Sequence, residues 1–198
     1  MLKILILMNI LPINPETGKY YLPVTTLVDV CYVCMFQDCA SLTTAPELPS
    51  TTLADGCYSG MFYGCTGLVT APELPATTLA TYCYSSMFYG CSSLTTAPEL
   101  PATTLANNCY YSMFEGCSSL TTAPELHAAA IKDWCYANMF RDCSSLINSP
   151  KLSATTLAKG CYNYMFAGCT SLTIVPSILP ATTLSEECYG HMFESCKS

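Results

Sequence analysis

Cys109-Tyr-Tyr-Ser-Met-Phe-Glu-Gly-Cys-Ser-Ser-Leu-Thr-Thr-Ala-Pro-Glu-Leu126 is one copy of a pattern that fills nearly the whole chain. Its Cys-Tyr pair recurs at Cys31, Cys57, Cys83, Cys109, Cys135 and Cys161, at intervals of 26 residues. It returns at Cys188 after 27, one extra residue falling near Ser177-Ile178. Met-Phe follows in each copy, ending at Phe36, Phe62, Phe88, Phe114, Phe140, Phe166 and Phe193, and a second cysteine comes eight residues after the first. A fixed period of this length is the mark of a solenoid, in which each repeat buries its apolar side only against its neighbours. We number the copies rungs 1 to 7 by these Cys-Tyr pairs.

Working outward, the segment from Leu94 to Gly116 shows how one rung is expected to fold. Leu94-Thr-Thr-Ala-Pro98 reads as a brief strand ended by proline, and Glu99-Leu-Pro-Ala102 turns the chain. Thr104 then stands where a helix N-cap belongs. Three residues after it the copies carry Asp29, Asp55, Thr81, Asn107, Asp133, Lys159 and Glu186, mostly residues that complement the first turn of a helix. Leu105, Cys109 and Met113, with Tyr110 and Phe114 beside them, fall on one face at helical spacing. The glycines Gly64, Gly90, Gly116 and Gly168 suit a left-handed C-terminal cap. The expected fold is a leucine-rich-repeat-like α/β solenoid: about seven strand–turn–helix rungs of 26 residues in one continuous stack over residues 23–198.

Residues 1–22 are the least repeat-like. Met1-Leu-Lys-Ile-Leu-Ile-Leu-Met-Asn-Ile-Leu11 places a lysine before a short apolar run, but Pro12 and Pro15 follow instead of a small-residue cleavage site. The segment is a cap or degenerate first rung, or a residual targeting signal. It is too short to span a bilayer.

Met-Phe-x-Gly-Cys-x-Ser-Leu-Thr, as in Met87 to Thr95 and Met113 to Thr121, resembles the BspA-type leucine-rich repeat of bacterial surface proteins. The resemblance covers about residues 22–198, with seven copies. It implies a solenoid with stacked short strands on one side and helical segments on the other. It also implies a cell-surface or secreted protein that adheres to host matrix proteins or to other cells. The chain departs from that family in the proline-rich run Ala-Pro-Glu-Leu-Pro-Ala-Thr-Thr, where the family alternates aliphatics.

Composition narrows the partners. With 51% hydrophobic residues, only 11% charged and a formal charge of −7, the chain lacks the basic stripe that nucleic acid requires and the basic patch that docks on anionic membranes. No Ser/His/Asp order, phosphate-binding glycine loop or carboxylate pair stands out from the repeat, so no catalytic site is expected, and no cofactor.

Fourteen of the fifteen cysteines form two columns, Cys31 to Cys188 and Cys39 to Cys196, with Cys34 extra. Two members of one rung are too far apart to bridge. Only the second column, beside the strand, comes near disulfide distance between rungs. The expectation is two packed columns of reduced thiols behaving as small hydrophobes. Cys31-Tyr-Val-Cys34 has no second half at zinc spacing, and His127 and His191 form no pair.

Glu47, Glu73, Glu99 and Glu125 share one repeat position and form an acidic column, read as a solvated edge. Adjacent strand residues point to opposite faces, so Thr43-Thr44, Thr95-Thr96 and Thr121-Thr122 do not build a single threonine ladder. Exposed aromatics are the better candidates. Tyr63, Tyr82, Tyr89, Tyr111, Trp134 and Tyr164 fall on or beside the outer face, and aromatic residues dominate binding hot spots. In the fifth linker, His127-Ala-Ala-Ala-Ile-Lys-Asp-Trp134, Ala130 takes the cap position at a cost of about 1 kcal/mol, and Lys132 and Arg141 join Trp134. This rung is the one expected to make a specific contact.

The leading function is therefore a non-enzymatic adhesion or protein-binding scaffold, at a bacterial surface or secreted, with a host matrix or cell-surface protein as partner. The alternative is a structural subunit that assembles end to end into a filament, because the last rung closes on Cys196-Lys-Ser198 without a polar cap. A third expectation is a rung array within a larger surface or phage fibre.

Overall fold

The computed structural model describes residues 10–197. The apolar start of the N-terminal segment, residues 1–9, lies outside the described residues, and with it most of the cap-or-signal question. Residues beyond it form a narrow hairpin in which Ile13 bridges Tyr20. Tyr21 then bridges Glu47 in parallel, with Leu22 N–H donating to the Glu47 carbonyl at 3.0 Å.

From Pro23 onward the rungs stack as the 26-residue period requires, but the expected helices are absent among the described residues. In their place each rung runs a chain of β-turns. In rung 3 the N–H groups of Cys83, Ser85, Met87, Tyr89 and Cys91 donate three residues back, to Ala80, Tyr82, Tyr84, Ser86 and Phe88. The alternate N–H groups, of Tyr82, Tyr84, Ser86, Phe88 and Gly90, leave the rung and donate to Asn107, Cys109, Tyr111, Met113 and Glu115 of rung 4 at 2.7–3.1 Å. An α-helix would use nearly every N–H within itself. Here half of them tie one rung to the next, so the backbone itself holds the stack together.

A left-handed residue at every fourth position makes this possible by interrupting the helical winding. Rung 2 uses Gly56, Gly60 and Gly64, rung 3 Tyr82, Ser86 and Gly90, and rung 5 Trp134, Asn138 and Asp142. The glycines expected to end helices do have positive φ, at 69° to 74°, but as the third member of this series rather than as caps.

Two further expectations change with it. Thr104 caps nothing and instead bridges Thr78, and Ala130 bridges Thr156. These are backbone contacts, which alanine makes as well as threonine, so the irregular linker carries no capping penalty. The first-turn acids also act between rungs: the Asp29, Asp55 and Asp133 carboxylates accept from the backbone N–H of Asp55, Thr81 and Lys159.

The strand side is reduced to isolated parallel bridges, Thr44 to Thr70 to Thr96 and Thr122 to Asn148 to Ile174. Both members of the Thr43-Thr44, Thr95-Thr96 and Thr121-Thr122 pairs are exposed. Alternation between faces needs an extended strand, and single bridges do not impose it.

The core is built from columns. Leu105, Cys109, Tyr110, Met113 and Phe114 are all buried, as the expected apolar face requires. Tyrosine rings stack from Tyr32 to Tyr189 at 5.6–6.0 Å. Phenylalanine rings stack from Phe36 to Phe193 at 5.5–5.7 Å. Each such pair contributes about 0.5–1.5 kcal/mol beyond burial.

The second cysteine column has a specific role. Cys65, Cys91, Cys117, Cys143, Cys169 and Cys196 each aim Sγ at the carbonyl of a phenylalanine one rung earlier, at 3.0–3.1 Å. Each of these carbonyls also accepts the N–H of its own rung's second cysteine, as Phe88 does from Cys91. The thiol therefore fills core volume and satisfies a second lone pair on a buried oxygen. Burial pushes Cys117 up to about 12, which keeps it a protonated donor, and in the first column it raises Cys109 to about 12 and Cys57 to about 11.

Candidate ligand-binding face

The turn side carries an irregularity that the core columns do not. At the first left-handed position the rungs read Val30, Gly56, Tyr82, Asn108, Trp134, Gly160 and Glu187, and at the second Cys34, Gly60, Ser86, Ser112, Asn138, Tyr164 and His191. Glycine fits this backbone without cost, whereas a bulky side chain pays about 1–2 kcal/mol. Tyr82, Trp134 and Tyr164 hold φ values of 53° to 56° regardless.

These three strained aromatics converge. Together with Asn108, Tyr111, Asn138, Arg141 and Asn163 they line one shallow depression that crosses rungs 3 to 6. Tyr82 is 48% exposed. The Trp134 indole lies on Gly160 of the next rung, three atoms of its six-membered ring nearly equidistant from where a Cβ would stand. The ring is thus laid face-down on backbone, with its opposite face turned outward.

Arg141 fixes the other side. Its guanidinium carbon sits 5.2 Å from the centre of the Tyr164 ring, a cation–π distance, and Tyr164 stacks in turn on His191 at 4.5 Å. Arg141 Nε lies 3.9 Å from Glu115 and 3.7 Å from Asp142, so its charge is locally balanced. Burial raises the Glu115 carboxyl, against the lowering effects of Ser112 and Arg141.

At the floor, Asn138 is 9% exposed, and its Oδ1 has no hydrogen-bond partner. A buried acceptor left unpaired costs free energy. Nothing in the turn scaffold requires a carboxamide there, since Gly60 and Ser86 occupy the same position in other rungs.

Of the expected site residues, Tyr82, Tyr111, Trp134, Arg141 and Tyr164 are brought together. Tyr63 and Tyr89 stack on each other at 4.5 Å and 1°, outside the residues that line the depression. Lys132 is exposed and also lies outside that lining. In the acidic column, Asn14 donates to Glu47 at 2.7 Å, and Thr17 and Asn14 together hold its carboxyl below the usual range. Glu73, Glu99 and Glu125 are exposed. Among the described residues no three Cys, His, Asp or Glu side chains gather as metal ligands, and no helix is long and apolar enough to cross a membrane.

The architecture is that of a repeat solenoid with a leucine-rich-repeat-like fold. The crystal structure of the T. pallidum leucine-rich-repeat protein TpLRR is similar, with a TM-score of 0.50 at 20% identity, covering 85% of this chain and 78% of that one. At that identity the likeness speaks for the fold. No family model matches the chain, and no curated protein matches it in sequence.

Proposed function

We propose that this chain is a non-enzymatic binding scaffold of the BspA-type leucine-rich-repeat kind, working at a bacterial surface or after secretion. Its ligand is held on the depression of rungs 3 to 6. One observation carries the reading: Tyr82, Trp134 and Tyr164 occupy left-handed positions where other rungs place glycine, and all three open onto the same surface. Non-glycine residues take these positions in other rungs too, but three aromatics gathered on one surface at a conformational cost support a role for that surface beyond folding. The test is binding of the immobilised chain to a panel of purified extracellular-matrix proteins, compared with a variant carrying Tyr82→Gly and Trp134→Gly. Glycine suits this backbone, so the variant should fold. Binding that is equal in both would reject the reading.

A second reading, end-to-end assembly, has its own support. Among the described residues nothing accepts from the N–H groups of Tyr189, His191 and Phe193, and nothing donates to the carbonyls of Asp29, Cys31 and Val33. Exposed apolar side chains gather at the same two levels, Val28 and Val30 at one and Ile178 and Leu184 at the other. A further rung or a second copy in register would pair both edges. Light scattering and negative-stain electron microscopy at two concentrations separate the readings, because filaments grow with concentration and a monomer does not.

A further inference from the structure

We infer that the depression of rungs 3 to 6 is a carbohydrate site, built for a neutral oligosaccharide lying along the stack. The inference rests on the reading of that face as a binding surface and names what it binds.

Three features select this chemistry. The first is aromatic surface, the Trp134 indole laid on Gly160 and the Tyr82 side chain, 48% exposed. They occupy the same repeat position two rungs apart, with Asn108 between them. A pyranose ring presents C–H groups on its faces and hydroxyls around its edge, so it can lie on an aromatic face while its rim stays polar, as sites that combine apolar walls with a few placed polar groups require. A linked chain of such rings can meet both aromatics at once, and a single ring cannot.

The second feature is the unpaired Asn138 Oδ1 at the floor. That oxygen is itself covered, so the carboxamide accepts a sugar hydroxyl by turning about its terminal bond towards the depression that it lines. Asn108 and Asn163 add carboxamides around it, groups that both donate and accept, as a hydroxyl does.

The third is charge. Arg141 is already faced by Glu115 and Asp142 and leans on Tyr164. No uncompensated cation is left to select a phosphate, sulfate or carboxylate, and the chain as a whole carries −7. A neutral ligand fits this field.

Trp134 is the single tryptophan of the chain, so intrinsic fluorescence reads this site alone. The titration uses cellotetraose, chitotetraose and α-1,6-mannotetraose, glucose as the monomer, and a ten-residue polyproline peptide as the competing class of ligand. We expect a saturable change with at least one tetrasaccharide and an affinity at least roughly tenfold weaker for glucose. Asn138→Gly keeps a residue suited to the left-handed backbone and removes the carboxamide. It should weaken the tetrasaccharide roughly tenfold while the circular dichroism spectrum is unchanged. Calorimetry on Trp134→Gly should show the same loss without relying on the fluorophore. If polyproline alone saturates, the carbohydrate assignment falls and the binding face stands. If neither sugars nor peptide respond and the matrix-protein panel is also blank, both fall together. Undiminished tetrasaccharide binding in Asn138→Gly and Trp134→Gly would place the sugar elsewhere and overturn the inference.

Discussion

The indole of Trp134 lies on the backbone of Gly160, its neighbour in the same column one rung on, and fills the space that a Cβ there would need. Gly160 also has φ of 57°. Two independent reasons therefore hold glycine at this position, one steric and one conformational.

Gly160→Ala tests both. The substitution should destabilise the chain by about 1–3 kcal/mol through backbone strain and displacement of the indole. It should also red-shift the tryptophan emission as the ring lifts into water. A variant that melts like the parent with unchanged emission would show that the indole does not rest there.

The cysteine column gives a second prediction. Cys117 is fully buried and donates to the Phe88 carbonyl at 3.1 Å. Cys117→Ala removes that bond and leaves a small void, for an expected loss of about 1–2 kcal/mol in denaturant titrations. Cys83→Ala, at a buried thiol with no such bond to a phenylalanine carbonyl, should lose less. Equal losses at the two positions would mean that the S–H bond contributes nothing.

Thiol labelling in the native state should sort the fifteen cysteines by exposure. Cys31 is exposed, Cys34 and Cys196 are partly covered, and the other twelve are buried. Iodoacetamide at about pH 8 should modify Cys31 first and reach the twelve only on unfolding, since a buried protonated thiol is a poor nucleophile. Peptide mass spectrometry over a time course reads the order. Early modification of Cys109 or Cys117 would contradict the packed columns.

Glu115 predicts a pH effect. Burial holds its carboxyl above the ordinary range in the folded chain, so its contribution favours folding below the unfolded pKa and is lost as pH rises through the folded one. Glu115→Gln stays neutral throughout. Its Tm should exceed the parent's near pH 7, and the two should converge towards about pH 3.5, where the parent's carboxyl is protonated as well. A constant gap across that range would point to packing instead.

The period, the buried columns and the aromatic outliers were all legible in the sequence, because a repeat displays its own exceptions. The turn chain was not. Cys83, Met87 and Cys91 recur at four residues, and over two steps a spacing of four drifts from a 3.6-residue helix by only about 80°, still within an apolar stripe about 100° wide. Periodicity alone therefore accepts a helix. Residue type would have pointed to it: Gly56, Gly60 and Gly64 place left-handed-prone residues three times in succession. In the candidate site, Trp134 and Tyr82 stood out as aromatic residues on or beside the outer face. Asn138 did not, because a carboxamide among surface residues gives no sign that it will be buried and left without a partner.

The direction of the rung-to-rung bonds has a consequence for the stack as an object. On the turn side all five N–H groups of every rung from 1 to 6 point towards the next higher rung, whereas on the strand side bonds run both ways, as from Val69 to Thr43 and from Ala45 to Thr70. Peptide dipoles aligned on one flank add as they do along a helix. The solenoid is therefore a bar polarised along one edge, negative at rung 1 and positive at rung 7. Neighbouring bars lying turn side to turn side would settle antiparallel.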